Sequence, residues 1–288
     1  MPLEPIVERL EGHKGGFFVQ TAVADYHMHS NVSPDGHASM EDMCLAALRM
    51  GLKEVAVTDH YECYKPKIPY NPFAGNYIET YFKKLERCRA KFARKLRIRA
   101  GIELGQSFID LKTEQQILKH YSYDYVIGSM HKINNTDLGE VDYPSEDVDA
   151  WCKTNLQNLL RMAEESDFDC LGHVDLIKRY AANRGVKVDL YTYREELSQV
   201  FERLIERGKG IEINTSSLRQ AAKEAMPSLQ ILKLYRSLGG KILTFGSDAH
   251  RPDDVGKGLD TALCMAKEAG FTEIALFENR QPHFVSIV

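Results

Sequence analysis

Side chains that bind metals recur at the ends of the predicted strands of this chain, and this repetition constrains the fold more than any other feature. Seven short apolar segments alternate with stretches of helical periodicity. Six of the seven segments end in His, Asp or Glu. Strands separated by helices form a parallel sheet, because each crossover returns the chain to the same end. Ligands at nearly every strand end require the strands to surround a common axis, which predicts a (β/α) barrel and not an open sheet with one crevice.

The first predicted strand, residues 19–26, leads directly into two histidines, His27 and His29. Alternate side chains of an extended segment share a face, so both imidazoles point the same way. Asp35 follows eight residues after His27, in a turn-forming segment that lets its carboxylate fold back over the pair. One His-x-His motif is weak evidence alone, and its weight depends on the later strand ends.

The other strand ends supply the remaining predicted ligands. They are His60, Glu103, His131, His173, Asp248 and His250. A single histidine at a strand end is more often an ordinary polar residue than a ligand, but its repetition at strand after strand is improbable by chance. We therefore predict a metal site at the carboxyl ends of the strands.

Nine nitrogen and carboxylate ligands without a thiolate exceed the number that one tetrahedral ion binds. The set suits two or three ions that share bridging carboxylates, and Zn, Mn and Fe all accept imidazole and carboxylate ligands. Such ions generate hydroxide from water at neutral pH and stabilise the entering and leaving oxygens of a displacement. A small phosphate ester is the favoured substrate, because several cations neutralise a phosphoryl dianion.

Length and charge limit the remaining possibilities. Residues 1–288 are expected to form one barrel domain, with a proline-rich loop at 61–76 that is either a lid or a solvated insertion. The net charge of −4 argues against long nucleic acid as a partner. Neither a signal peptide nor an apolar segment long enough to span a membrane is apparent, so we expect a cytoplasmic protein without membrane contact.

Six segments together resemble the polymerase-and-histidinol-phosphatase (PHP) superfamily. They are residues 25–30, 58–60, 101–103, 128–131, 172–175 and 246–250. The match spans about residues 20–288 in the family's order, and segments 172–180 and 212–219 resemble the stand-alone histidinol-phosphate phosphatases. The resemblance implies a distorted seven-stranded, TIM-like (β/α) barrel with three divalent metal ions and a hydrolase that cleaves phosphoric monoesters.

The resemblance also implies how the ligands divide among the three ions. The sets are His27, His29, Glu103 and Asp248; Glu103, His131 and His173; and Asp35, His60 and His250. In this arrangement hydroxide attacks phosphorus, Glu103 bridges the first two ions, and an acidic group near Asp248 or His250 assists the leaving alkoxide. Glu103, Asp248 and His250 are the predicted catalytic residues.

Basic residues near the fifth and sixth strands are candidates for binding the phosphate. Lys178 and Arg179 follow the strand that delivers His173, and the guanidinium of Arg179 is the better bidentate partner. Arg219 and Lys132 are weaker candidates, for which an ordinary surface charge is an equally good interpretation. Lys178, Arg179 and Arg219 are the predicted substrate contacts.

Four further polar residues have predicted roles beside the site. Histidinol phosphate also carries an amine and an imidazole, which Glu212, Asn214 or the 61–76 loop could contact. Asp59 and Asp175 are predicted to orient ligating histidines from behind.

The leading hypothesis is hydrolysis of L-histidinol phosphate to L-histidinol and phosphate, a reaction of histidine biosynthesis. The alternative is a phosphodiesterase or nuclease on the same ions, or a phosphatase for another small substrate such as a nucleotide. The acidic charge balance disfavours a nuclease, and the complete ligand set disfavours a catalytically silent metal-binding module. An amidohydrolase barrel also begins with His-x-His, but it would use a carboxylated lysine where this chain has Glu103.

Overall fold

A parallel sheet curled into a nearly closed barrel forms the centre of the computed structural model, which describes residues 24–63 and 77–288. The strands are β1 (Ala24–Met28), β2 (Glu54–Val57), β3 (His60–Glu62), β4 (Arg97–Gly105), β5 (Tyr125–Ser129), β6 (Lys132–Ile133), β7 (Thr136–Asp137), β8 (Cys170–Leu171), β9 (Gly210–Asn214), β10 (Leu243–Gly246), β11 (Glu273–Glu278) and β12 (Gln281–Ser286). Seven of them pair in the order β1-β2-β4-β5-β8-β9-β10, and β3 pairs with the end of β4. All of these pairs are parallel. The predicted seven-stranded α/β barrel is confirmed.

Helices connect the strands and pack around the barrel. They are α1 (Met40–Arg49), α2 (Tyr77–Phe92), α3 (Leu111–His120), α4 (Val148–Glu165), α5 (Leu176–Asn183), α6 (Arg194–Glu206), α7 (Leu229–Ser237) and α8 (Leu259–Glu268). Their apolar faces share one buried hydrophobic cluster with the strands. Across residues 24–63 and 77–288, no helix combines the length and the apolar character that crossing a bilayer requires.

Helix α1 begins and ends at the residues that its sequence predicts. The Ser39 side chain accepts a hydrogen bond from the N–H of Asp42, and Gly51 has a φ of 76° just beyond the last turn. Met43 is fully buried, but Met50 is 45% exposed. Helical spacing puts Met50 on the same face as Met43, but Met50 is the C-cap and lies beyond the face that packs on the barrel.

Asp25 joins the first and last strands of the barrel. Its fully buried carboxylate accepts hydrogen bonds from the backbone N–H groups of Ser247 and Gly256, both at 2.9 Å. Beyond the carboxyl end of β10, the N–H of Asp248 donates to the carbonyl oxygen of His27 at 2.7 Å. These contacts set the ends of β1 and β10 side by side, so the polar residues that follow the two strands meet at one mouth.

Several elements differ from the sequence prediction. Residues 176–183 form α5, a helix that was not predicted, and Tyr61 and Glu62 belong to β3 instead of the predicted loop. Strand β11, predicted as the last strand of the chain, pairs antiparallel with β12 outside the barrel sheet. Residues 64–76 of the predicted loop and residues 19–23 of the predicted first strand lie outside the described residues.

An ion pair fixes the turn between β11 and β12 to the barrel. Arg280 Nε donates to the two carboxylate oxygens of Asp169, the residue before β8, at 2.8 and 2.7 Å. Burial raises the pKa of Asp169 to about 6, although attraction to Arg280 opposes the rise. The folded state therefore holds this proton more tightly than the unfolded chain does. The tighter binding of this proton by Asp169 stabilises the fold fully at pH values below 3.8, the ordinary pKa of an aspartate. This stabilisation is lost as the pH rises to about 6.

Arg280→Leu is expected to destabilise the protein by about 3 kcal/mol near pH 8 and by clearly less near pH 5. The substitution leaves the buried Asp169 carboxylate without its cation and raises its pKa further, so deprotonation costs more in the folded state. Urea unfolding of both proteins at the two pH values measures the difference. The double variant Arg280→Leu with Asp169→Asn is the control and should show no pH dependence of the loss. An equal loss for Arg280→Leu at both pH values would contradict this account.

Candidate metal centre

The carboxyl end of the barrel gathers all nine side chains that the sequence singles out as metal ligands. In chain order they are His27, His29, Asp35, His60, Glu103, His131, His173, Asp248 and His250. Each has a side-chain nitrogen or oxygen within 3.4 Å of such an atom in another member of the set. Residues up to 223 positions apart in the chain therefore form one cluster, because parallel strands bring their carboxyl ends to the same mouth.

Glu103 lies at the centre of this cluster, and its side chain is almost completely buried. Its Oε2 is 3.2 Å from His27 Nε2 and 2.9 Å from His60 Nδ1. Its Oε1 is 3.1 Å from His131 Nε2 and 2.9 Å from His173 Nε2. The two carboxylate oxygens thus face different pairs of imidazoles, which is the arrangement that a bridging carboxylate requires.

Two aspartates complete the other groups. Asp248 Oδ1 is 3.4 Å from His29 Nε2. Asp35 Oδ2 is 3.3 Å from His60 Nε2 and 3.2 Å from His250 Nε2. Together with the contacts of Glu103, these distances join the three sets that the family resemblance implies into one cluster, since the Glu103 carboxylate lies 2.9 Å both from His60 of the third set and from His173 of the second.

Several buried ligand atoms have no hydrogen-bond partner among the described residues. They are His27 Nε2, both ring nitrogens of His29, and Glu103 Oε2. His27 Nε2 and Glu103 Oε2 lie 3.2 Å apart without the alignment of a hydrogen bond. Each such buried atom lowers the stability of the fold by about 1–3 kcal/mol. Neighbouring ligands of a tetrahedral ion with bonds of ~2.1 Å lie roughly 3.4 Å apart. The spacing and the unsatisfied atoms fit divalent ions.

The charges of the cluster shift the pKa values of its members in different directions. Burial lowers the pKa of His27, His60 and His131, but attraction to the surrounding carboxylates outweighs this effect, raising the pKa of His131 to about 10 and holding the other two well above their usual range. Burial raises the pKa of the Glu103 carboxyl, but attraction to the surrounding histidines outweighs this effect and holds the pKa well below its usual range. Burial also raises the pKa of Asp248, but attraction to nearby histidines and Arg179 outweighs this effect and holds the pKa well below its usual range. Burial and repulsion from neighbouring imidazoles lower the pKa of His29 to about 3. Carboxylates and a neutral imidazole are the forms that bind cations.

The backbone at the site adopts conformations that are rare for residues other than glycine. His173 has a φ of 20° and Asp248 a φ of 51°, and such geometry costs about 1–3 kcal/mol per residue. Gly246 allows the close approach of β10 to β1, because a Cβ there would lie 2.1 Å from Glu212 Oε1 and 2.4 Å from the Cβ of His27. The fold therefore accepts local strain at the residues that form the cluster.

Two carboxylates contact ring nitrogens of the cluster without belonging to the predicted ligand sets. Glu212 Oε1 is 2.7 Å from His27 Nδ1, so this carboxylate faces a ligand candidate and not the predicted amine of a substrate. Glu62 Oε1 is 2.5 Å from His131 Nδ1, although sequence reasoning placed Glu62 in a loop. A signal for Glu62 was available, because it lies two residues after His60 and shares its face in an extended segment.

The structure corrects the predicted roles of Asp59 and Asp175. Asp59 accepts hydrogen bonds from the N–H of Ser30 at 2.6 Å and from Ser33 Oγ at 2.9 Å. It therefore holds the loop after β1, since a residue adjacent to His60 in an extended segment points to the other face. Asp175 is the residue before α5, and its carboxylate forms an ion pair with Lys178 at 2.9 Å.

A cavity of about 120 Å³ opens at the mouth of the barrel. Beside the ligand candidates, its walls include Glu62, Lys132, Asp137, Arg179 and Tyr180. Glu62 belongs to β3, Lys132 and Asp137 come from the β6–β7 hairpin, and Arg179 and Tyr180 come from α5. Asp137 and Tyr180 were not predicted, because neither residue type nor spacing distinguishes them from ordinary surface residues.

The three predicted substrate contacts have different environments. Arg179 lines the cavity, its Nη1 is 3.3 Å from Asp248 Oδ2, and its buried Nε has no hydrogen-bond partner among the described residues. Arg219 Nη1 is likewise buried without a partner in the described part of the chain, although Arg219 does not line the cavity. Lys178 is 6% exposed and pairs with Asp175 and Glu224, away from the cavity walls.

A parallel (β/α) barrel with imidazoles and carboxylates at the carboxyl ends of its strands defines the class of metal-dependent barrel hydrolases. Within that class, the chain belongs to the PHP family, because the family model of the PHP domain matches residues 25–216. The resemblance predicted from the strand-end motifs is thereby confirmed.

Similar proteins with established names agree with this family. The chain is 31% identical over 268 residues to a probable histidinol-phosphatase of Clostridium acetobutylicum, with 90% of this chain and 98% of the relative covered. It is 29% identical over 261 residues to the histidinol-phosphatase of Lactococcus lactis, with 88% and 94% covered. The crystal structure of histidinol phosphate phosphatase from Lactococcus lactis, complexed with zinc, L-histidinol and phosphate, has a TM-score of 0.78 and 26% identity. That alignment covers 90% of this chain and 98% of the other.

Proposed function

We propose that this chain is a metal-dependent phosphomonoesterase that hydrolyses L-histidinol phosphate to L-histidinol and phosphate. The observation that carries the proposal is the cluster around Glu103, whose carboxylate oxygens each face two imidazoles at 2.9–3.2 Å. A structural relative of 26% identity is complexed with zinc and with both products of this reaction, L-histidinol and phosphate. Similarity over nine tenths of the chain supports the same chemistry here.

Three divalent ions are part of the proposal, with zinc as the first candidate because zinc is bound in the relative. The proposed ligand sets are His27, His29, Glu103 and Asp248; Glu103, His131 and His173; and Asp35, His60 and His250. When bound, the ions supply Lewis acidity and a nucleophilic hydroxide at neutral pH. The ionised Asp248 would hold an ion, and the leaving alkoxide would take its proton from an acidic group near Asp248 or His250 at the mouth of the barrel.

Arg179 is the proposed phosphate contact among the residues of the chain itself. Its guanidinium group holds a buried N–H donor without a partner among the described residues, and a buried donor of this kind is costly unless a ligand accepts from it. Arg179 also stacks on Tyr180, with its guanidinium carbon 4.6 Å from the ring centroid, so its fork is held in place before a phosphate arrives.

The amine or imidazole of the substrate is proposed to face Asp137. Glu212, which contacts His27, lies beneath the ligands and is not a wall of the cavity. Asp137 is a wall of the cavity, lies outside the proposed ligand sets, and has a 31% exposed side chain. A carboxylate on the cavity wall favours an ester with a cationic end over a neutral one, and that end would share Asp137 with Lys132, whose Nζ lies 2.5 Å from Asp137 Oδ2.

Phosphate release from histidinol phosphate, a mononucleotide and a dinucleotide diester, with Zn, Mn and Fe supplied in turn, tests this function. We expect histidinol phosphate to give the highest kcat/KM. His29→Ala is expected to lower phosphate release from every substrate by at least 100-fold (~3 kcal/mol), since it removes a fully buried ligand candidate. His120→Ala, at the exposed end of α3, is the matched control and should retain activity. Dominant turnover of the diester would favour the phosphodiesterase alternative, and unchanged rates in His29→Ala would reject the metal-dependent mechanism.

A further inference from the structure

Glu62 and Gln106 form a buried network around His131, and neither residue belongs to the proposed ligand sets. Glu62 is 2% exposed and Gln106 is fully buried. Glu62 Oε1 lies 2.5 Å from His131 Nδ1, and Glu62 Oε2 accepts a hydrogen bond from Gln106 Nε2 at 2.7 Å. Gln106 Oε1 accepts from the backbone N–H groups of His131 at 2.5 Å and of Lys132 at 2.9 Å.

These contacts fix both the ring and the backbone of His131. The Glu62 carboxylate can only accept a hydrogen bond, so Nδ1 of His131 carries a hydrogen, and Nε2 is the nitrogen left to bind an ion. That Nε2 is 3.1 Å from Glu103 Oε1 and 3.3 Å from His173 Nε2, where a shared ion would bind. The amide of Gln106 has one orientation, because its oxygen accepts two N–H groups and its nitrogen must then face Glu62.

The position of Glu62 in β3 links this network to a second ligand set. His60 and Glu62 are alternate residues of β3 and share a face, and His60 pairs in register with Glu103 of β4. His60 belongs to the proposed third set, whereas Glu62 contacts a member of the second. One short strand therefore supplies a ligand candidate for one ion and a contact to a ligand of another.

We propose that Glu62 and Gln106 are positioning residues that determine the affinity for the ion held by His131 and His173 without being ligands themselves. This inference rests on the metal centre of the proposed function. A carboxylate that accepts the second ring N–H of a ligating histidine orients the ring and increases its basicity, and its loss lowers metal affinity by about 10–100-fold.

The test compares Glu62→Gln with the exchange variant Glu62→Gln/Gln106→Glu. In the single variant the new amide at position 62 faces two hydrogen-bond donors, the Gln106 Nε2 and the His131 Nδ1, and can accept from only one of them. In the exchange variant the new carboxylate at position 106 accepts from the amide at 62 and from the two backbone N–H groups. The amide oxygen at 62 then accepts from His131, and the total charge is unchanged.

Metal content after gel filtration and calorimetric zinc titration of the metal-free proteins are the measurements. We expect Glu62→Gln to bind one ion about 10–100-fold more weakly, with the other ions unaffected, and the exchange variant to recover most of this affinity. Glu114→Gln is the matched control, because Glu114 is a 2% exposed carboxylate that contacts the N–H of Asp167, outside the site. Thermal unfolding of each metal-free protein checks that the fold is intact.

Unchanged zinc affinity in Glu62→Gln would overturn the inference. So would failure of the exchange variant to recover affinity, because that result is expected if the Glu62 carboxylate binds the ion directly. If Glu62→Gln does not fold, the exchange variant alone still tests the inference. The inference requires this variant to bind every ion with nearly the affinity of the unmodified chain. The proposed function fails in a different way: the unmodified chain would bind the ions and release no phosphate from histidinol phosphate.

Discussion

Replacement of Glu103 by glutamine is expected to lower kcat/KM for histidinol phosphate by about 10⁴-fold. The Glu103 carboxylate has Oε2 within 3.2 Å of His27 and Oε1 within 3.1 Å of His131, so it contributes to two of the three proposed ion sites. An amide has one acceptor oxygen and no charge, and it cannot bridge two cations. Loss of two ions removes several kcal/mol of transition-state stabilisation, and ~5 kcal/mol corresponds to about 10⁴-fold in rate.

Steady-state kinetics and metal content of the same preparations test this expectation together. Glu103→Gln should retain the ion of the third set, whose Asp35 contacts His60 and His250 at 3.2–3.3 Å. Glu103→Asp keeps the charge with a shorter side chain, and we expect it to bind more metal than the glutamine variant. A Glu103→Gln protein with the full metal content and more than about a tenth of the original activity would contradict the bridging role.

The sequence predicted which side chains meet at the mouth of the barrel, because each of them lies near or follows the carboxyl end of a strand. In a parallel barrel each strand ends at the same mouth, so the residues after β1, β5 and β10 meet there whatever their separation in the chain. His131 and Asp248 needed only the correct assignment of strand ends. Their division into three sets is what the family resemblance implies and stays a prediction, because Glu103 also lies 2.9 Å from His60 of the third set.

The residues behind the ligands were harder to predict, because their contacts depend on three-dimensional packing. Glu212 and His27 are 185 positions apart, and Glu62 and His131 are 69 positions apart. Nothing in the sequence around Glu212 distinguishes a carboxylate that faces a ligating ring from one that faces a substrate. The distinction appears only when β9 and β10 place Glu212 beneath the ligands.

Lys178 and Arg179 show how one missed helix changes a prediction. Sequence reasoning assigns both residues to the phosphate, because it predicts no helix over residues 176–183. In α5 successive residues lie about 100° apart around the axis, so Arg179 faces the cavity while Lys178 faces Asp175. Strand β12 was missed for a similar local reason, because the turn at Asn279 and Arg280 has positive φ at both residues without the glycine that usually signals it.

Replacement of Arg179 by methionine is expected to lower kcat/KM for histidinol phosphate by about 10³-fold, with most of the effect in KM if the contact is made in the ground state. Arg179 is the guanidinium on the cavity wall, and its buried Nε has no partner among the described residues. Methionine fills a similar volume and donates no hydrogen bond, so the phosphate loses a charged bidentate contact worth about 4 kcal/mol in a buried site. Arg179→Lys keeps the charge without the planar fork, and we expect it to recover only part of the loss.

Arg179 also lies 3.3 Å from Asp248, a proposed ligand, so the experiment must separate phosphate binding from metal binding. Zinc content of Arg179→Met should equal that of the unmodified chain, while inhibition by inorganic phosphate should weaken in parallel with the rise in KM. Arg184→Met is the matched control, since Arg184 follows the same helix but is exposed and does not line the cavity. If Arg179→Met lost activity together with its zinc, the residue would support Asp248 and not the substrate. If phosphate inhibition stayed unchanged, the assignment of Arg179 as a phosphate contact would be wrong.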